Sequence, residues 1–96
     1  MIRALGAVIA IVVGVIVFGA LLTRAMVFLV PGAIVTSWYR TPGHNAEVGG
    51  LGGSAHLIGW AVDLIPVTGD VEDAARSVYP VVVNEGNHIH AALFTA

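Results

Sequence analysis

No cysteine and no lysine occur in this sequence, and only 10% of its 96 residues are charged. Without cysteine there are no disulfides and no thiolate metal sites, so any metal must be held by histidine and carboxylate. Four arginines against six acidic residues give a net charge of −2, which leaves no basic footprint and argues against nucleic-acid binding. Charge is absent altogether from Ala4 to Leu22, "ALGAVIAIVVGVIVFGALL", where no side chain can form a hydrogen bond either. At about 1.5 Å per residue this run spans roughly 28 Å as a helix, close to the hydrocarbon thickness of a bilayer. It is too long for the apolar region of a secretory signal, no clean A-x-A site follows, and the segment sits directly behind Met1. The expectation is therefore a single-pass membrane anchor rather than a cleaved signal. Arg3 lies before the span and Arg24 and Arg40 after it, so its orientation is left open.

A second apolar stretch, "AMVFLVPGAIV", is too short to cross a bilayer and is broken at Pro31-Gly32. Ala25–Val30 is expected to continue the helix, with the proline ending it. This divides the chain into an anchor and juxtamembrane segment over 1–32 and a globular domain over 33–96. Ala33–Tyr39 reads as a strand from its β-branched and aromatic residues. Residues 40–54, rich in glycine, read as loop with one helical turn at Asn45–Val48. In the next segment Trp60, Val62 and Leu64 alternate with Gly59, Ala61 and Asp63, which predicts a strand with one large face and one small face, the small one leaving open space beside Asp63. Residues 68–80 predict a short helix with Asp70 as N-cap, Asp73 at the capping-box position and Pro80 as its stop. Residues 81–94 predict two strands joined by a turn at Asn84–Asn87. The fold class is thus α+β: an N-terminal transmembrane helix followed by a minimal domain with a small antiparallel sheet. A soluble part of about 60 residues is at the lower limit of what one apolar core stabilises, so a bound metal or a membrane neighbour would help.

The polar residues that stand out are His56 and Asp63 in "SAHLIGWAVDL", and His88 and His90 in "HIH". An unpaired carboxylate is disfavoured in so apolar a run. Seven residues separate His56 from Asp63 by roughly 10 Å along a helix and by more along a strand, so the chain must bend between them, most simply at Gly59. His88 and His90, two apart in a strand, share a face. A bend that joins His56 to Asp63, with His90 from a neighbouring strand, yields two imidazoles and one carboxylate, the three-ligand arrangement of a catalytic zinc site with a water in fourth place. His44, in the glycine-rich loop, reads as an ordinary hydrogen-bonded residue.

"S-A-H-L-I-G-W-A-V-D" resembles the S-x-H-x-x-G-x-A-x-D signature of the M15 zinc peptidases. "H-I-H" resembles the H-x-H of the wider group that holds lysostaphin-type enzymes, D-Ala-D-Ala peptidases and the hedgehog domain. "SWYRTPGHNAEVGG" is similar to a stretch of phage-type M15 members, and the three motifs together cover Thr36 to Leu93. The resemblance implies a hedgehog/D-Ala-D-Ala peptidase-like domain with Zn2+ as cofactor and His56, Asp63 and His90 as metal ligands. It implies Glu85 as general base, His88 as the histidine that positions the attacking water or the tetrahedral intermediate, and Arg40 as the group that stabilises negative charge on the scissile carbonyl or binds a substrate carboxylate. Ser54 would support its loop. Glu85-Gly86-Asn87-His88 also fits the E-x-x-H spacing of the dipeptidase branch, in which His88 rather than His90 would be the third ligand. Glu85 also reads as a solvated turn residue. The segment between Asp63 and the histidine pair is shorter than in the family, and the substrate-groove elaborations are missing.

The function so implied is that of a membrane-anchored peptidase that cuts the peptidoglycan stem peptide or cross-bridge, phage- or virus-encoded, in a virion internal membrane or a bacterial inner membrane with its catalytic domain facing the wall. A second reading, from a different class, is a non-catalytic, zinc-stabilised structural protein of a virion or envelope; a third is a small membrane assembly protein in which the motifs are accidental. Expected partners are the lipid membrane and the stem peptide, with copies of the chain itself or virion membrane proteins as possible neighbours.

Overall fold

The computed structural model describes residues 2–50 and 53–96. Met1 lies outside them, as do Leu51 and Gly52 of the expected glycine-rich loop. Helix α1, Ile2–Ala25, carries the whole uncharged run and is long and apolar enough to cross a membrane. A 3₁₀ turn over Met26–Leu29 extends it as far as Pro31-Gly32, and Gly32 takes a left-handed φ of 80° there. Val27 and Val30 of this connection are buried in the core.

Strand β1, Ile34–Ser37, is shorter than the seven residues expected. Trp38 and Arg40 leave the ladder because their backbones bond elsewhere: the Trp38 carbonyl accepts from the His56 ring, and the Arg40 amide donates to the His56 carbonyl. Helix α2, Pro42–Glu47, begins three residues before the expected turn. Thr41 caps it by accepting from the His44 amide at 3.2 Å, and Pro42 occupies a first-turn position where no amide hydrogen is required. A 3₁₀ turn over Ala55–Ile58 is capped by Ser54 and closed by Gly59 at φ 77°. This is the bend the sequence required. Strand β2, Ala61–Ile65, follows directly.

Helix α3, Gly69–Val78, is capped by Thr68, whose hydroxyl accepts from the Val71 amide at 3.2 Å. Asp70, expected as the cap, instead lies with Glu72 in the first turn, where negative charge favours the helix dipole. Thr68 wins because its extended backbone, φ −121° and ψ 159°, aims the hydroxyl at the free amides. Strands β3, Val81–Asn84, and β4, Ile89–Ala92, form the expected hairpin.

The sheet order is β1-β2-β4-β3, antiparallel throughout. On one face Val62, Leu64, Ile89 and Ala91 pack with Val71, Ala75 and Tyr79 into the main core. The other face carries Ala61, Asp63, His90 and Ala92, in the register Ala61↔Ala92 and Asp63↔His90. Open space does lie beside Asp63 as expected, but the alanines of this face do not line it. They are fully buried beneath Ala55 and Trp60, so the small side chains make room for the 3₁₀ turn that carries His56. Trp60 accordingly sits with this second cluster rather than with Val62 and Leu64.

Candidate metal centre

The site is built where the 3₁₀ turn crosses the alanine face of the sheet. Asp63 in β2 and His90 in β4 are direct cross-strand partners, and such pairs on one face stand about 5 Å apart at Cβ. His56 comes down from the turn above them. Its Nε2 lies 2.9 Å from Asp63 Oδ1, and His90 Nδ1 lies 3.4 Å from the same oxygen. The two imidazoles meet edge to face, with centroids 5.0 Å apart. One ligand atom from each of His56, Asp63 and His90 falls within 4.8 Å of the others, and all three residues are buried.

These residues fit a metal ion on three counts. His56 Nδ1 is 2.6 Å from the Trp38 carbonyl, which can only accept, so Nδ1 carries the proton. With Nδ1 committed to that carbonyl, Nε2 is the ring atom that faces the Asp63 oxygen, the orientation a metal-ligating histidine needs. In addition, His90 Nε2 is buried with no hydrogen-bond partner among the described residues, and buried polar nitrogens are rarely left so. Tetrahedral ligands with bonds near 2.0–2.2 Å stand about 3.3–3.6 Å apart; His90 Nδ1, 3.4 Å from Asp63 Oδ1, falls in that range and His56 Nε2, at 2.9 Å, lies short of it.

Burial works to raise the Asp63 carboxyl, but hydrogen bonds to His56 and His90, with the charges of His56 and His88, outweigh it and hold the group well below its ordinary 3.8. Arg40 takes the other oxygen: Nη2 donates to Asp63 Oδ2 at 2.5 Å, Nε to Ser37 Oγ at 3.1 Å, and Nη1 to Asn45 Oδ1 at 3.3 Å. The guanidinium is thus committed to three protein acceptors. Thr36 Oγ1 adds a contact to the Asp63 carbonyl at 3.4 Å.

A cleft of about 460 Å³ opens over the centre, and Glu85, His88 and Arg40 line it with the three buried residues. His88 Nε2 is 3.6 Å from Asp63 Oδ1, and its Nδ1 is 2.6 Å from Asn87 Oδ1. Half-buried, it stands between the centre and solvent. Glu85 is exposed in the hairpin turn, held by its amide to the His88 carbonyl at 3.0 Å, and its carboxylate makes no hydrogen bond or ion pair among the described residues. Ser54 accepts from the His56 amide and donates to the Ala96 carbonyl, so it supports the turn. His44 is exposed, 3.8 Å from Glu47, and does not line the cleft.

Sequence reasoning missed Trp38, whose carbonyl orients His56 and whose indole donates to the Gly59 carbonyl at 2.7 Å. It also missed Asn45, 97% shielded behind Arg40. Asn45 packs so closely on Gly50 that a Cβ there would lie 2.1 Å from its Oδ1. The adjacent glycines of "VGG" are the sequence trace of that contact.

The fold and this geometry agree with the comparisons. A family model described as Peptidase M15 matches residues 28–92. Neither a curated protein nor a solved structure matches the chain. The match takes in both strands of the histidine–aspartate cluster, the 3₁₀ turn and the hairpin, and by it the chain belongs to the M15 peptidase family.

Proposed function

We propose that the domain is a zinc-dependent peptidase that hydrolyses a peptide bond in peptidoglycan, held at a membrane by α1. The observation that carries this reading is the convergence of His56, Asp63 and His90 under a cleft lined also by the Glu85 carboxylate. In this reading His56, Asp63 and His90 hold the zinc. His90 is favoured over His88 as third ligand because it is the buried cross-strand partner of Asp63, whereas His88 is half-exposed and farther away.

Zinc, when bound, supplies a Lewis acid that acidifies water and polarises a carbonyl. The chain's own residues do the rest. Glu85 takes a proton from the attacking water and gives it to the leaving amine, a role suited to a solvent-facing carboxylate at the rim. His88 donates a hydrogen bond to the developing oxyanion. Arg40, with its three donors engaged, is a positioning residue: it keeps Asp63 Oδ2 occupied and leaves Oδ1 for the metal. The stretch Ser37–Gly50, similar to phage-type members, supports wall digestion by a phage or virus.

The test is zinc content per chain together with release from purified peptidoglycan by the wild type, Glu85→Ala and His56→Ala. Stoichiometric zinc, turnover by the wild type, none by Glu85→Ala with zinc retained, and neither zinc nor turnover in His56→Ala are expected. Zinc bound with no release by any form would favour the second reading, a structural centre, for which the near-complete burial of His56 and Asp63 speaks. Absence of stoichiometric metal would sink both.

A further inference from the structure

Every residue of α1 from Ile2 to Val15 is exposed, and burial begins only at Ile16. From there the helix is docked on the domain along one stripe. The Trp60 indole donates to the Ile16 carbonyl at 2.9 Å, and a Cβ on Gly19 would lie within 2.4–2.6 Å of the Trp60 ring. One on Gly59 would lie 2.9 Å from Ala20 Cβ, and the Tyr79 hydroxyl donates to the Thr23 carbonyl at 2.7 Å. The spacing 16, 19, 20, 23 is that of a single helix face. The undocked part, Ile2–Val15, measures about 21 Å at 1.5 Å per residue, well short of the roughly 30 Å that a bilayer core demands. A spanning α1 must therefore take its docked turns, up to Thr23, into the hydrocarbon, with Arg24 at the headgroups. The domain face against those turns goes with them.

That face has the composition such a depth requires. Beside α1 runs a groove of about 440 Å³ whose lining includes Trp38, Tyr39, Leu57 and Ile58 and carries no charged side chain. A second, of about 340 Å³, continues it past Trp60 to Phe94. Tyr39, Ile58 and Phe94 are 56%, 42% and 77% exposed. Tryptophan and tyrosine collect at membrane interfaces, where an apolar ring meets lipid and a polar edge meets headgroups.

Resting on the reading of α1 as a spanning helix, we propose that the domain is sunk into one membrane interface by the face of Trp38, Tyr39, Leu57, Ile58, Trp60 and Phe94, with lipid as its occupant. The same 3₁₀ turn that shows Leu57 and Ile58 to lipid carries His56 on its other side, and Ser54 lines both the apolar groove and the metal cleft. The cleft thus opens beside the membrane surface. Its substrates are peptide strands held there, including lipid-linked ones, rather than the outer layers of a wall.

Trp38 and Trp60, the two tryptophans of the chain, both lie on this face and report on it directly. The full chain is reconstituted into phosphatidylcholine vesicles, floated on a density gradient, and its emission compared in plain lipid and in lipid brominated at shallow or deep acyl positions. Flotation is expected, with loss of more than about half the emission in shallow-brominated lipid and less in deep. Trp38→Phe and Trp60→Phe apportion the signal. Ile58→Asp with Phe94→Asp should weaken quenching while zinc binding persists. Flotation without quenching would overturn the immersion and leave the anchor standing, and failure to float would remove the anchor itself. Tryptophans shielded in a crosslinkable dimer would overturn the proposal in favour of a second copy on this face.

Discussion

Arg40→Ala tests whether this residue acts on the metal ligand or on substrate. Its guanidinium and the Asp63 carboxylate are 11% and 5% exposed, so their contact is largely desolvated. Truncation strips Asp63 Oδ2 of its hydrogen bond and leaves the buried Asn45 oxygen without the Nη1 donor. Breaking a buried ion pair from one side costs about 3–5 kcal/mol. His56, His88 and His90 still surround the carboxylate, which moves the expected loss for the metal-free chain toward about 2–3 kcal/mol. For a domain of this size that is a fall in melting temperature of roughly 10–20 °C. Loss of a partner behind a ligand typically weakens metal affinity 10–100-fold, about 1.4–2.7 kcal/mol. Thermal melting in detergent and zinc competition against a chromophoric chelator read the two quantities separately. Arg40→Lys should recover only part of either, because one ammonium cannot serve three acceptors in a fork. If Arg40→Ala left melting and zinc affinity unchanged while turnover collapsed, Arg40 would be a substrate-binding group and the positioning argument would be refuted.

Three further outcomes follow from the geometry. Zinc at about 100 times its dissociation constant should stabilise the wild type by about 2.7 kcal/mol and His56→Ala hardly at all, and identical melting with zinc and with chelator would count against a metal centre. Gly59→Ala should destabilise by about 2 kcal/mol, since a left-handed backbone alone costs about 1–2 kcal/mol outside glycine and the new Cβ would press on Ala20; unaltered stability would show that the bend can relax. Burial pushes Tyr79 up from 10.0 to about 12, with Arg24 opposing. The unfolded chain therefore ionises first on the alkaline side, so the stabilisation is whole below pH 10 and is lost between about pH 10 and 12. At about 1.4 kcal/mol per pH unit the loss is close to 3 kcal/mol. Tyr79→Phe should flatten that limb of the stability profile, and an unchanged limb would place its origin elsewhere.

The helix, the bend and the hairpin were legible because each rests on local chemistry: an uncharged run, a glycine between two residues that must meet, and Asn-Glu-Gly-Asn at a turn. His56, Asp63 and His90 were legible because polar residues in apolar segments need partners. What could not be read was settled by contacts distant in sequence. Which residue caps α3 turned on Thr68 already being extended when it arrives from β2, not on the side-chain preferences of Asp70. That Ala61 and Ala92 sit beneath the 3₁₀ turn needed the register of β2 on β4. Trp38 contributes a backbone carbonyl, which no residue-type pattern announces. The three acceptors of Arg40 lie 3, 5 and 23 residues away, and only the folded chain gathers them.

The pairing of Asp63 with His90 across β2 and β4 gives the spacing of His88-Ile89-His90 a further meaning. Sliding β4 by one residue would set Ile89 or Ala91 opposite Asp63 and turn both histidines to the wrong side of the sheet. Sliding it by two would offer His88 in place of His90. Two candidate third ligands are therefore two alignments of one strand, and the selector between them is the hairpin. Asn84 Oδ1 holds the Gly86 amide at 2.9 Å while Gly86 takes φ 93°, and the Glu85 amide clasps the His88 carbonyl. That closure ties His88 into the turn and leaves His90 to the ladder. The loop that presents Glu85 is in this way also the stop that indexes which histidine faces Asp63, so lengthening it by two residues should exchange one histidine for the other.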